Sequence, residues 1–169
     1  MLVEKIDSSG GELWSLDLAV ANLDVLQPVI LGVFATDSGQ VRVLWSARVE
    51  NQPTNFMSLV SAAGALEQTV ELENSAALPD DVMLADGQLY SLVGQRLRRY
   101  DLSGAMQWEQ NLQFGLSGGR IAVDSSHSRV IVAGNRRLLN NQVEPTLWAV
   151  YALSTAGELL WSELQLDAL

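Results

Sequence analysis

His127 is the only histidine in the chain, and it stands in Asp124-Ser125-Ser126-His127-Ser128, so the residue types of a nucleophilic triad fall within five positions. A working triad converges from separated segments. Crowded into one turn, these residues read as a solvent-facing hairpin, and no catalytic residue is assigned. Asp80 and Asp81, with Asp7, Asp101 and Asp124, offer oxygens that calcium would accept. No segment alternates carboxylates in the manner of a calcium loop, so turn capping accounts for them and no metal ligand is assigned. Arg96, Arg98, Arg99, Arg136 and Arg137 are half of the 10 basic residues and would form a local anion patch, unless they blunt strand edges or pair with nearby acids. With no cysteine there is no disulfide, thiolate metal site or cysteine nucleophile.

The whole-chain balance narrows the partner classes. Twenty acidic against 10 basic side chains leave a net charge of -10, a field that repels phosphate backbones and argues against nucleic-acid binding and adhesion to anionic lipid. Hydrophobic residues make up 48% of the 169, which is enough for a substantial core. The longest apolar stretches fall far short of the ~20 residues a membrane helix needs, so no membrane insertion is expected. Met1–Gly11 has no basic start followed by an apolar core, hence no signal peptide is read there.

The elements that must position these residues are short, β-prone runs between polar turns. In the last part of the chain they are Ile121–Val123, Val130–Ala133, Leu147–Leu153 and Leu159–Leu166, a four-stranded antiparallel meander. Asp81–Ala85, Gln88–Val93, Arg96–Asp101 and Ala105–Leu112 repeat the pattern, with Asp86-Gly87 as a two-residue hairpin signal. Val29–Thr36, Val41–Val49, Phe56–Ser61 and Ala65–Leu72 repeat it again, the second and third separated by a turn over Asn51–Asn55. Leu2–Asp7 and Glu12–Leu18 supply only a second half. Helical periodicity competes only in Ala19–Leu26 and Asn74–Asp81, where caps and length are poor. The expectation is an all-β chain, one domain over 1–169, with blade units roughly at 1–18 (half), 29–72, 81–112 and 119–166.

One spacing recurs at the end of each unit. Asp7 leads to Gly10 and Trp14, Asp101 to Gly104 and Trp108, and Ser154 to Gly157 and Trp161, while Ser61 leads to Gly64 and then Gln68. An Asp or Ser three residues before the glycine accepts hydrogen bonds from the turn backbone, and the glycine takes the left-handed conformation. The tryptophan four residues on presents a large flat surface to an adjoining blade. Gln68, the one departure, should weaken packing of the second blade.

Asp-x-x-Gly followed by Trp, preceded by a run such as IAVDSSHSRVIVAG, resembles the tandem β-propeller repeats grouped as quinoprotein-like (PQQ-like), and the SBBP and delta-60 types. The similarity is good over Asp81–Leu166 and loose before it. It implies a partial β-propeller of about three and a half four-stranded antiparallel blades, a segment of a longer propeller or a chain that associates, since two copies would make seven blades. Relatives of this kind are often envelope or secreted scaffolds, so the resemblance favours an extracellular or periplasmic location; a subset bind a quinone and oxidise alcohols or sugars.

The function expected is a non-catalytic binding or scaffold module, with a protein partner or self-association through open blade edges and no cofactor. The alternative is part of a quinone-dependent dehydrogenase-like propeller. The longest loop within a blade, Asn135–Thr146, followed by Trp148, is the candidate interaction loop; Arg136, Arg137, Asn140, Asn141 and Trp148 are its candidate contact residues.

Overall fold

The computed structural model describes residues 2–18, 26–73, 77–113, 116–136 and 147–166, in which every regular element is a β-strand except one 3₁₀ turn at Ser125–His127. The strands are β1 (Leu2–Ile6), β2 (Glu12–Asp17), β3 (Leu26–Ala35), β4 (Val41–Val49), β5 (Gln52–Val60), β6 (Leu66–Glu71), β7 (Asp81–Ala85), β8 (Gln88–Val93), β9 (Arg96–Tyr100), β10 (Met106–Asn111), β11 (Leu116–Asp124), β12 (Arg129–Arg136), β13 (Leu147–Ser154) and β14 (Leu159–Leu166). They form one two-stranded and three four-stranded sheets, each an antiparallel meander in chain order. Sequential pairing of short strands is what polar turns of a few residues permit. The chain divides into two compact units, Met1–Leu78 and Pro79–Leu169.

In the first unit, the half-sheet β1–β2 packs Val3, Trp14, Leu16 and Leu18 against β3–β6. Val41, Val43, Trp45 and Ala47 alternate along β4 and so share the face that meets them, together with Phe56 and Val60. Trp45 stacks on Phe56 across the strand pair, centroids 4.6 Å apart, and its indole N–H donates to Ser58 Oγ at 3.0 Å. Satisfying that donor is what lets so large a side chain lie fully buried.

In the second unit, Tyr90, Leu92 and Leu97 of β8 and β9 face Ile121, Val130, Val132, Ala149, Tyr151 and Leu153 of the last sheet. Burying each large apolar side chain contributes about 1.5–3 kcal/mol, so this interface is the main stabilisation of the unit. Asp81 adds a polar tie, accepting from the Ile121 N–H at 2.7 Å.

Beyond β3, which starts at Leu26 and not at Val29, two boundaries differ from the expectation raised by the sequence. The turn expected over Asn51–Asn55 is only Glu50-Asn51, both with positive φ (51° and 65°), and β5 already begins at Gln52. Pro53 sits inside that strand because β6 pairs only from Phe56 onward. The stretch around Pro53 is therefore an edge on that side, where a missing N–H costs little. The other difference is β11, which starts at Leu116 within the expected linker; a register shift between Ser117 and Arg120 accommodates Gly118 and Gly119. Of the two competing helical stretches, residues 19–25 and 74–76 lie outside the described residues.

Candidate interaction surface

The repeated turn has the same hydrogen-bonding in all four sheets. The amide of the glycine donates to the carbonyl three residues back (Gly10 to Asp7, Gly64 to Ser61, Gly104 to Asp101, Gly157 to Ser154), at 2.9–3.1 Å. The side chain at that earlier position caps the turn: Asp7 Oδ1 accepts from the Ser9 and Gly11 amides, Asp101 Oδ1 from the Ser103 and Ala105 amides, and Ser61 and Ser154 Oγ from Ala65 and Glu158. Hydrogen bonds from the serine hydroxyls and then from these amides hold the Asp7 and Asp101 carboxyls below the usual aspartate range. The glycines have φ between 85° and 90°, where a Cβ is strained.

A β-bulge follows at one offset in every sheet. The register slips between Glu12 and Trp14, Leu66 and Gln68, Met106 and Trp108, and Leu159 and Trp161, two to four residues after each glycine. One extra residue re-aims the next side chain, and that is what points the indole out of its own sheet.

Where a following sheet is present in the same unit, the indole lands on that sheet's glycine turn. Trp14 covers Gly64 so closely that a Cβ there would lie 2.5 Å from Trp14 Cγ, and its N–H donates to the Ala62 carbonyl at 3.2 Å. Trp108 covers Gly157, where a Cβ would lie 2.8 Å from Trp108 Cδ2, and donates to the Thr155 carbonyl at 3.1 Å. Both accepting carbonyls stand two residues before the covered glycine. In the second seam the Arg99 guanidinium also donates to the Thr155 carbonyl, at 2.7 Å. The sequence reading did not reach Ala62 or Thr155, because backbone carbonyls leave no residue-type signature and their fixed offset from the glycine is the only trace; it named Arg99 for an anion patch and not for this seam.

Trp161 makes no such contact among the described residues. It is 45% exposed on β14, with Leu159, Leu160 and Leu164 at 45–49%. Trp161 pairs with Ala152, and alternation along β13 puts Trp148, 43% exposed, on the same side, opposite the buried Tyr151, Leu153 and Ala149. At the other end of the chain, the face of β1–β2 opposite Val3 and Trp14 exposes Leu2 and Ile6, with Leu13 in the bulge, at 57–61%. Gly10 there has nothing within 4 Å of where a Cβ would stand. Gln68, in the indole's place on β6, is exposed.

The other candidates resolve as follows. His127 Nδ1 lies 2.7 Å from Asp124 Oδ2 and 2.9 Å from Ser126 Oγ. Hydroxyl and carboxylate thus crowd the same ring nitrogen, whereas a relay requires them on opposite ones. The Ser126 hydroxyl, followed by His127, holds the Asp124 carboxyl below its ordinary value. Asp80 caps the Gly94 amide, Asp81 the Ile121 amide, and no group of three metal-ligating side chains occurs among the described residues. Two of the arginines are engaged within the chain: Arg98 is buried against Glu109 at 2.6 Å, and Arg99 donates to Gln88 and Thr155. Of the interaction loop, Arg137, Asn140 and Asn141 lie outside the described residues, Arg136 ends β12, and Trp148 is the second residue of β13.

No family model matches the chain, and no curated protein matches it. Among the similar solved structures are two with a TM-score of 0.54. A protein of unknown function from Bacteroides caccae is 12% identical, over 96% of this chain and 74% of its own. BBS1N, crystallised in complex with ARL6DN, is 14% identical, over 98% of this chain and 58% of its own. At such identities the likeness shows the fold alone: an all-β chain of propeller-type blades, about three and a half in number. No described helix is long and apolar enough to cross a membrane.

Proposed function

We propose that the chain is a non-catalytic propeller-type module that binds protein through the open faces of its end blades. The observation that carries this reading is the set of exposed apolar side chains along the edge strand β14, Trp161 on one face and Leu164 on the other, with Leu159 and Leu160 before them. Large apolar groups contiguous on an edge strand are unfavourable in water and are relieved by covering them. The similar BBS1N was crystallised with a protein partner, and the extension of that role to this chain is part of the proposal. The turn-and-tryptophan signature supports kinship with the quinoprotein-like repeat families as a scaffold member.

The test is binding of an environment-sensitive apolar dye, run in parallel on the parent chain and on Trp161→Gln/Leu164→Gln. Enhanced dye fluorescence that the double variant loses is the expected result; no enhancement in the parent overturns the reading. A melting-point increase on adding the quinone with calcium would overturn its non-catalytic part.

A further inference from the structure

We propose that the face bearing Trp161 is covered by a second copy of this chain: the indole seats on the Gly10 turn of that copy and donates its N–H to the Ser8 carbonyl. This rests on the reading that the end-blade faces bind protein, and it identifies the partner and the contact. The chain itself shows the contact twice, Trp14 on Gly64 with Ala62 as acceptor and Trp108 on Gly157 with Thr155 as acceptor. In both, the tryptophan lies on the outer strand of one sheet and the glycine turn precedes the outer strand of the next. Two unmatched halves remain among the described residues. Trp161 has no glycine turn against its indole. Gly10 has no indole over it, with φ 86° against 85° and 90° at the two occupied turns, and open space above it.

The offset fixes the acceptor as Ser8, two residues before Gly10 as Ala62 and Thr155 stand before theirs. The Asp7 cap gives this turn the same shape whether or not an indole is present, so the seat is preformed. Around it, Leu2 and Ile6 supply apolar surface to meet Trp148, which shares the face of Trp161. The halves differ, so the contact is head-to-tail and each copy offers one of each. One difference sets the strength. In the Trp108 seam Arg99 also donates to the acceptor carbonyl, and beside Trp161 its place is taken by Ala152, so this seam lacks that donor and forms a weaker, reversible contact.

The experiment is sedimentation of the full chain, of Trp161→Gln, of Gly10→Asn and of the two variants mixed. Asparagine tolerates the left-handed conformation while its side chain fills the seat, so the turn survives; circular dichroism checks the fold of each. The parent is expected to self-associate at concentrations on the order of 100 μM or below, and each variant alone to weaken this by roughly tenfold or more. The mixture regains a 1:1 complex, because Trp161→Gln keeps an intact seat and Gly10→Asn an intact indole. A parent that stays monomeric overturns the proposal, as does association that both variants leave unchanged or a mixture no better than its parts. A monomeric parent that still binds the apolar dye overturns only the second-copy assignment; a parent that does neither overturns the protein-binding reading as well.

Discussion

Trp14 and Trp108 each fix two things at once, an apolar plate over a glycine and a hydrogen bond to a neighbouring turn, so truncating either should cost more than area alone. For Trp108→Ala we expect a loss of about 2–4 kcal/mol in urea unfolding, and for Gly157→Ala about 1–3 kcal/mol, since the added Cβ meets the indole and φ there is 90°. Trp161→Ala, measured at a concentration where the chain is monomeric, should change stability by less than about 0.5 kcal/mol, because its indole is 45% exposed and covers no glycine turn among the described residues. Equal losses for all three would show that Trp161 is seated after all. Asp101 makes a second residue-scale prediction. Its carboxyl is held below the ordinary aspartate value, so its contribution is fully present above about pH 4 and fades as pH falls through the folded-state value. Asp101→Asn should therefore melt lower than the parent at pH 6, with the gap closing toward pH 2; a gap that widens in acid would contradict this.

At the scale of elements, the bulge is what turns a strand residue into a contact between sheets. Deleting Gln107 would remove the extra residue between Met106 and Trp108 and restore plain alternation along β10. Trp108 would still pair with Arg99, but without the extra residue the strand loses its local bend and the indole is drawn off Gly157. Loss of cooperative unfolding in the second unit, followed by hydrogen exchange of the β8, β9 and β13 amides, is the expected outcome. Opposite Trp108's face, Arg98 is buried; burial opposes its charge, and the Glu109 hydrogen bond together with Tyr100 outweighs that and holds the guanidinium above its ordinary value. Glu109→Gln should cost about 1–3 kcal/mol by thermal unfolding, less than for a fully buried pair because Glu109 is partly exposed.

At the scale of the whole molecule, the net charge of -10 acts against any contact between copies. An apolar, head-to-tail contact should strengthen as salt rises toward about 0.15 M, where the screening length falls to about 8 Å. Sedimentation at two ionic strengths reads this directly, and weakening with salt would mean that ion pairs hold the contact. The repeat itself was open to reading along the chain, since strand alternation, an Asp or Ser cap, a left-handed glycine and a tryptophan at a fixed offset are local chemistry that each residue carries with it. Local signals also located the Asp86-Gly87 hairpin but misplaced the turn at Glu50-Asn51, where positive φ falls on residues with no glycine to announce it. Which indoles are covered was not legible, because Trp14, Trp108 and Trp161 share one offset from the glycine while the turn that covers an indole lies some 47 residues or more away in sequence. Residue types and spacing determined the blades and their turns; only tertiary structure decided that two tryptophans close seams and the third stands open, since packing depends on neighbours that local sequence does not name.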